Sequence, residues 1–191
     1  ATLLECDEKA EEMSFLIRTI GSGFRYLMVP AGGSRHRWAD GEKKDRGDGA
    51  LRSDYDAYMD GTEVFNFTIK EVPVLINDYY SKKNLDNDKF ELFVLHQANL
   101  FMLNYLAKKI KFSTGKMPLS LDRYGNTSSA SIPLTLCDYF NRNNVTYDKE
   151  LNILASGFGV GLSLGVTDFK LRAGQCLPVF EVDHGWRDGV L

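Results

Sequence analysis

Cysteines, histidines and long apolar runs are scarce in this sequence, and each scarcity excludes a class of protein. The 191 residues include three cysteines, Cys6, Cys137 and Cys176, which lie far apart and form no CxxC pair. This pattern argues against a disulfide scaffold and fits reduced thiols in the cytoplasm. His36 and His184 show no metal-ligand spacing and are expected at the surface. No apolar run approaches the roughly 20 residues of a membrane-spanning helix. We therefore expect a cytoplasmic protein without a metal site or a membrane segment.

The overall composition is that of an ordinary globular protein. Hydrophobic residues make up 43% of the chain and charged residues 26%, with a net charge of −3. A general nucleic-acid binder is usually basic, so this charge argues against that class. The length allows one good-sized core, and we expect a single domain over residues 1–191. The chain opens without methionine on "ATLLEC", which looks like a core strand, so we expect a fragment of a longer protein.

The hydrophobic periodicity predicts alternating strands and helices. Pro133 is expected to kink the last helix, and residues 35–56 are expected to form a long surface loop. This order of elements predicts an α/β domain with a mixed sheet packed between helices. Strands are predicted at residues 1–6, 14–21, 90–95, 150–156 and 162–166, and helices at residues 64–80, 97–111 and 127–141.

Three features are candidates for a functional site, and each of them could instead have a purely structural role. His96 stands where an apolar run ends and a helical pattern begins, a junction that often carries reactive side chains; most histidines, however, are not catalytic. Asn126, in "DRYGNTSSAS", is either a helix N-cap or a functional residue. The run "GFGVGLSLG" at residues 157–165 precedes a strand, so it does not fit a dinucleotide fingerprint. We expect Gly157, Gly159 and Gly161 to permit a tight strand turn whose amides lie close to a ligand.

Taken together, these stretches resemble one family, the 3-oxoacyl-(acyl-carrier-protein) synthase III group of the thiolase superfamily. "HQAN" at 96–99, "GNTSSASIP" at 125–133 and "GFGVGLSLG" at 157–165 are similar to the three motifs of its C-terminal half. "PAGGSR" at 30–35 and "MDGTEVF" at 59–65 match as well, so the resemblance covers most of residues 1–166. It implies a thiolase-like half, one of the two pseudo-symmetric halves of an αβαβα fold.

The resemblance also implies a reaction in fatty-acid synthesis. In this family an acyl thioester acylates a cysteine, malonyl-acyl carrier protein is decarboxylated, and the resulting carbanion attacks the acyl-enzyme to give a 3-oxoacyl product. His96 and Asn126 match the catalytic histidine and asparagine, whose N–H donors would stabilise the enolate. The backbone N–H of Val160 matches the oxyanion donor. The other matched positions line the substrate path or dock the carrier: Phe158, Met59, Gly61, Asn99, Lys108 and Lys109.

The implied partners follow from the same chemistry. No permanently bound cofactor is expected, because the substrates carry phosphopantetheine as coenzyme A or acyl carrier protein. The expected partners are acyl carrier protein, acyl-coenzyme A and a second copy in a homodimer of the full-length enzyme. Nucleic acid and membranes are not expected partners.

The sequence departs from the family pattern at three places. The nucleophilic cysteine belongs to an N-terminal half that this sequence lacks, and we expect its own three cysteines to be buried or inert. This chain alone is therefore predicted to be inactive. Residues 167–191 form an unusual C-terminal extension. The position five residues after the histidine, usually arginine in the family, is Phe101.

Two alternative functions stay open. One is a ketosynthase-like acyltransferase of secondary metabolism or surface-polysaccharide synthesis, which would share all three motifs. The other is a non-catalytic subunit that keeps the thiolase fold and binds a partner half.

Overall fold

Strands and helices alternate along the chain. The computed structural model describes residues 2–180 except residues 4, 5, 7, 9 and 48. The strands within these residues are β1 (Ser14–Thr19), β2 (Leu27–Met28), β3 (Lys44–Asp45), β4 (Leu51–Arg52), β5 (Tyr58–Met59), β6 (Leu92–Leu95), β7 (Glu150–Gly159) and β8 (Ser163–Arg172). The α-helices are α1 (Gly61–Lys83), α2 (Leu100–Lys109), α3 (Leu121–Tyr124) and α4 (Ser131–Arg142).

Four of the strands form one mixed sheet in the order β1-β8-β7-β6. Strand β8 is antiparallel to both β1 and β7, whereas β6 is parallel to β7. A parallel pair requires a crossover connection, and here that crossover contains α2, α3 and α4. The arrangement confirms the predicted α/β class.

Helices cover both faces of the sheet. Side chains of a strand alternate between the two faces. Phe93 and Leu95 of β6 accordingly pack in one apolar cluster with residues of α1 and α2. Leu92 and Val94 pack in a second cluster with residues of α4, among them Leu136. Strand β6 is therefore buried on both sides, which explains why it reads as an unbroken apolar run.

A short irregular segment joins β6 to α2. The helix begins at Leu100 rather than at the predicted residue 97, because the Asn99 side chain caps it by accepting the Met102 N–H at 2.8 Å. The His96 N–H still donates to the Ser156 carbonyl of β7 at 3.0 Å. His96 thus lies one step beyond the strand and outside the helix, at a point that the sheet holds in place.

The segment 127–141 is not one helix kinked at Pro133, which corrects the prediction. A 3-10 turn at Ser128–Ala130 precedes α4, and Ser128 has a φ of 54°, a left-handed conformation that interrupts a helix. Pro133 lies in the first turn of α4, where its missing N–H costs no hydrogen bond. Asn126 accepts the Ser128 N–H at 2.9 Å and so closes a local turn instead of capping α4.

Strands β7 and β8 form a long hairpin whose turn lies at Val160–Leu162. Of the three glycines expected in the turn, Gly161 has a φ of 134° and needs glycine there, whereas Gly157 and Gly159 belong to β7. Strand β8 continues to Arg172, so residues 167–172 of the expected extension lie in the sheet. Residues 181–191, which include His184, lie outside the described residues.

Two further predictions concern the N-terminal third. Residues 35–56 are mostly irregular, as predicted, but they contain the small β3–β4 hairpin. The strand expected at residues 1–6 is not observed at residues 2, 3 and 6, and residues 1, 4 and 5 lie outside the described residues. An apolar pattern does not by itself provide the neighbouring strand that a strand must pair with. No helix in the described part of the chain is both long and apolar enough to cross a membrane.

Candidate active site

A cleft of about 530 Å³ opens beside the end of β6. Its walls come from the N-terminal half of α1, the segment that joins β6 to α2, the loop before α4, and the end of β7. None of the described lining residues is aspartate, glutamate, lysine or arginine, so the cleft is mostly apolar. The lining residues are Leu27, Met59, Gly61, Thr62, Val64, Phe65, Phe67, Thr68, His96, Ala98, Asn99, Phe101, Met102, Asn126, Phe158 and Gly159.

His96 is the one ionisable side chain among these lining residues. Its Nδ1 lies 2.8 Å from the Ser131 Oγ. Its ring meets the Phe158 ring edge to face, with centroids 5.3 Å apart and ring planes at 85°. Burial lowers the pKa of His96, and an interaction with the Ser128 backbone partly opposes this effect. The ring is therefore neutral at pH 7 and carries one N–H donor.

Asn126 reaches the same cleft from the loop between α3 and α4. The preceding residue, Gly125, has a φ of 65°, a conformation that favours glycine. The Asn126 Oδ1 is occupied by the Ser128 N–H. The Asn126 Nδ2 makes no hydrogen bond to a described residue, so its N–H donors are available to a ligand.

A buried carboxylate holds this loop against α4. Asp138 of α4 is 5% exposed. It accepts hydrogen bonds from the Arg123 guanidinium and, at 3.1 Å, from the Tyr124 hydroxyl. Arg123 also donates to the Leu119 carbonyl at 2.8 Å. Because Asn126 follows Tyr124 by two residues, the Arg123–Asp138 ion pair restrains the segment that carries the asparagine.

The cleft brings most of the predicted site residues together. Val160 differs: its side chain is 64% exposed and does not line the cleft, whereas the backbone beside it, at Gly159, does. Lys108 and Lys109 are exposed in the last turn of α2 and also lie outside the lining. The predicted residues that line the cleft are His96, Asn126, Met59, Gly61, Asn99 and Phe158.

The sequence did not identify several of the residues that line the cleft. Phe65 and Thr68 belong to the helix predicted at residues 64–80, and the N-terminal end of that helix faces the cleft. Phe101, which stands where the family usually has arginine, also contributes to the wall. Ser131, the contact of His96, lies within "GNTSSASIP", but nothing in its spacing distinguishes it from the neighbouring serines.

No cysteine lies among the described residues that line the cleft. Cys6 is an exposed free thiol, and Cys137 and Cys176 are half-buried free thiols. Interaction with the Cys176 thiol lowers the pKa of Cys137 to about 7, and interaction with Cys137 together with burial raises the pKa of Cys176. The Asn141 amide joins the two segments, since it donates to the Cys137 carbonyl at 2.7 Å and to the Leu177 carbonyl at 3.4 Å.

Comparison with known proteins identifies a matching family model and several similar chains. Residues 80–171 match the family model for the C-terminal part of 3-oxoacyl-(acyl-carrier-protein) synthase III. The beta-ketoacyl-(acyl-carrier-protein) synthase III of Streptococcus gordonii is 43% identical over 107 residues, which cover 56% of this chain and 33% of that protein.

Solved structures extend the similarity beyond the matched segment. A 3-oxoacyl-(acyl-carrier-protein) synthase III crystal structure at 2.1 Å superposes with a TM-score of 0.76 at 30% identity, covering 88% of this chain and 50% of that one. The 3-oxoacyl-(acyl-carrier-protein) synthase of Burkholderia xenovorans LB400 gives a TM-score of 0.74 at 35% identity, over 87% of this chain and 46% of that one. The chain thus spans about half the length of these solved proteins.

Proposed function

We propose that this chain, which is similar to the C-terminal part of 3-oxoacyl-(acyl-carrier-protein) synthase III, supplies the decarboxylation site of a condensing acyltransferase. The proposed reaction joins an acyl thioester to malonyl-acyl carrier protein and yields 3-oxoacyl-acyl carrier protein, carbon dioxide and the free thiol of the first thioester. The acylated cysteine comes from the N-terminal half of the enzyme, because no cysteine described here lines the cleft.

The observation that carries the proposal is the meeting of His96 and Asn126 in one uncharged cleft. Decarboxylation places negative charge on the malonyl thioester oxygen. Two N–H donors aimed at that oxygen stabilise the enolate, and they do so most strongly where apolar walls exclude water. Neutral His96 offers one such N–H, and the Asn126 amide offers the other.

The walls of the cleft suit the substrates that we propose. Phosphopantetheine is an uncharged arm beyond its phosphate, so a cleft without charged side chains suits it. Met59, Gly61 and Asn99 would lie along this arm, and Phe158 would face the acyl chain beside the cysteine. The backbone N–H of Val160 would serve as oxyanion donor in the acylation step, because it follows Gly159 at the cleft wall.

The carrier would dock on the outer side of α2. Lys108 and Lys109 are exposed there, and acyl carrier protein is acidic, so opposite charges would attract the two surfaces. A cytoplasmic location, acyl-coenzyme A as the other substrate and a homodimer of the full-length protein complete the proposal. The alternative, a ketosynthase-like acyltransferase of another pathway, would use the same site. The carrier protein that the enzyme prefers would distinguish this alternative from the fatty-acid enzyme.

The test separates the two half-reactions in the full-length protein. In His96→Ala and Asn126→Ala, decarboxylation of malonyl-acyl carrier protein should slow by about 100- to 1,000-fold, the usual effect of losing one such donor. Acylation of the cysteine should change far less, because the enolate forms only in the second half-reaction. His36→Ala, which alters an exposed loop histidine, is the matched control.

Two results would contradict the proposal. Decarboxylation within about threefold of wild type in both variants, a difference below roughly 1 kcal/mol, would remove His96 and Asn126 from the chemistry. Failure of the wild-type protein to take up an acyl group on any cysteine would support the non-catalytic subunit instead.

A further inference from the structure

The Ser131 hydroxyl lies at the centre of a small buried group of polar atoms. Ser131 is the first residue of α4 and is 1% exposed. Its Oγ lies 2.8 Å from the His96 Nδ1 and 3.4 Å from the Gln97 backbone nitrogen. It makes no further side-chain hydrogen bond to a described residue, so these two contacts account for its polar environment.

The direction of each hydrogen bond follows from counting protons. The Gln97 backbone N–H can only donate, so the Ser131 Oγ is the acceptor there. The hydroxyl hydrogen then has one partner, the His96 Nδ1. A nitrogen that accepts a hydrogen bond carries no proton, so in the neutral imidazole the proton lies on Nε2.

The opposite arrangement leaves a buried donor without a partner. If Nδ1 carried the proton, Ser131 would accept from both His96 and Gln97, and its own hydrogen would face no described acceptor. Buried polar hydrogens are rarely left unpaired, because the lost hydration is not replaced. The Ser128 backbone also acts on the ring, where it favours the protonated imidazole and partly opposes the effect of burial on the pKa of His96.

A chain of buried hydrogen bonds holds Ser131 in place. The Thr135 Oγ1 donates to the Ser131 carbonyl at 2.7 Å, and the Ser120 Oγ lies 2.7 Å from the Thr135 Oγ1. The Ser120 N–H donates to the Gln97 Oε1 at 3.0 Å. The network therefore links α4 back to the residue after His96 and fixes the Ser131 backbone beside the imidazole.

We propose that Ser131 is a positioning residue, whose hydroxyl holds His96 in the tautomer protonated at Nε2 and turns that N–H toward the cleft. The use of this N–H as an enolate donor rests on the proposed function, whereas the tautomer itself does not. Nothing in the sequence pattern distinguishes Ser131 from Ser128 or Ser129; the contact arises from packing between residues 35 positions apart.

The tautomer can be measured directly by nitrogen NMR of the full-length protein labelled at histidine. The protonated and unprotonated ring nitrogens have well-separated shifts, and the His96 signals are assigned by their loss in His96→Gln. At about pH 8, above the usual histidine pKa of about 6.5, we expect wild type to be mainly protonated at Nε2. Ser131→Ala should lower the Nε2–H to Nδ1–H ratio about 2- to 10-fold, the effect of one neutral hydrogen bond.

Two matched variants control for the loss of a buried hydroxyl. Ser120→Ala removes one from the same network without touching His96, so the tautomer ratio should stay at the wild-type value. Ser131→Thr keeps the hydroxyl and should preserve the ratio; it also serves if Ser131→Ala does not fold.

The outcomes separate this proposal from the proposed function. A wild-type signal from the Nδ1–H tautomer, an unchanged ratio in Ser131→Ala, or an equal shift in Ser120→Ala would each overturn the positioning role. A shifted ratio in Ser131→Ala with unchanged malonyl decarboxylation would leave the positioning role intact and would instead count against His96 as the enolate donor.

Discussion

The rings of Phe65 and Phe101 stack at the mouth of the cleft, with centroids 5.8 Å apart and ring planes at 24°. Phe65 lies on α1 and Phe101 on α2, so the pair joins the two helices at the entrance. Phe101 nevertheless remains 70% exposed, which makes it an apolar surface beside the lysines of α2.

Replacing Phe101 by arginine should therefore change carrier binding. We expect the wild-type protein to bind a generic fatty-acid carrier protein more weakly, and with less salt dependence, than an arginine-bearing relative. Phe101→Arg should tighten binding by up to about 1 kcal/mol, or roughly fivefold in Kd, because exposed ion pairs contribute only about that much. The measurement is the affinity of the full-length protein at two ionic strengths, and the substitution should steepen the salt dependence.

Leu100→Arg provides the control for this substitution. Leu100 is also exposed on α2 but does not line the cleft, so an added charge there should have the smaller effect. Equal changes at both positions would indicate a general charge effect. No change at Phe101 would remove that residue from the docking surface.

The lowered pKa of His96 should make stability depend on pH. Burial holds the pKa of the folded state below the ordinary value of 6.5, so on acidification the unfolded chain binds this proton first. The stabilising contribution is full above about pH 6.5 and is lost as the pH falls through the pKa of the folded state. In urea unfolding at a series of pH values, the free energy of unfolding should fall less steeply with decreasing pH for His96→Gln than for wild type. His36→Gln should retain the wild-type slope; an unchanged slope in His96→Gln would contradict the burial argument.

The Asp138–Arg123 ion pair should stabilise the loop that carries Asn126. Asp138→Asn leaves the Arg123 guanidinium without its buried partner, and we expect a loss of about 1–3 kcal/mol in unfolding free energy. Arg123 also pairs with the exposed Asp122, so Asp122→Asn should cost less than about 1 kcal/mol. Equal losses from the two substitutions, measured by urea unfolding, would show that burial of Asp138 contributes nothing.

The thiol pair of Cys137 and Cys176 should give Cys137 unusual reactivity. Interaction with the Cys176 thiol lowers the pKa of Cys137 to about 7. Its alkylation rate should therefore rise with a midpoint near pH 7, below the roughly 8.5 of a free cysteine. Cys176→Ala should shift that midpoint upward, and the exposed Cys6 is the internal reference for reagent access. Identical pH profiles for Cys137 in wild type and Cys176→Ala would contradict this effect of Cys176 on the pKa of Cys137.

The 191-residue chain on its own should not condense substrates. With acetyl-coenzyme A and malonyl-acyl carrier protein it should yield no 3-oxoacyl product, because none of the described cleft residues is a cysteine that could hold the acyl group. The full-length protein, assayed in parallel, is the positive control. Product from the short chain that disappears on substitution of Cys6, Cys137 or Cys176 would identify a nucleophile within it.

The sequence by itself determined the elements whose signals are local. The apolar run before His96 predicts the strand at residues 90–95, and the helical spacing over 64–80 predicts α1, which extends from Gly61 to Lys83. The motifs around His96, Asn126 and Phe158 were sufficient to indicate the family and to predict that these residues share one site. Each of these signals lies in a few consecutive residues and needs no knowledge of distant contacts.

Tertiary structure decided what depends on residues far apart in the chain. The contact of Ser131 with His96 and the ion pair of Asp138 with Arg123 join segments that come together only when α4 packs on the sheet. The helix break at Ser128 depends on the same packing. Phe65 shows the same limit: its helical spacing is that of a core residue, yet its ring lines the cleft. Periodicity tells which face of a helix is apolar, but the neighbouring elements determine whether that face meets the core or an open cleft.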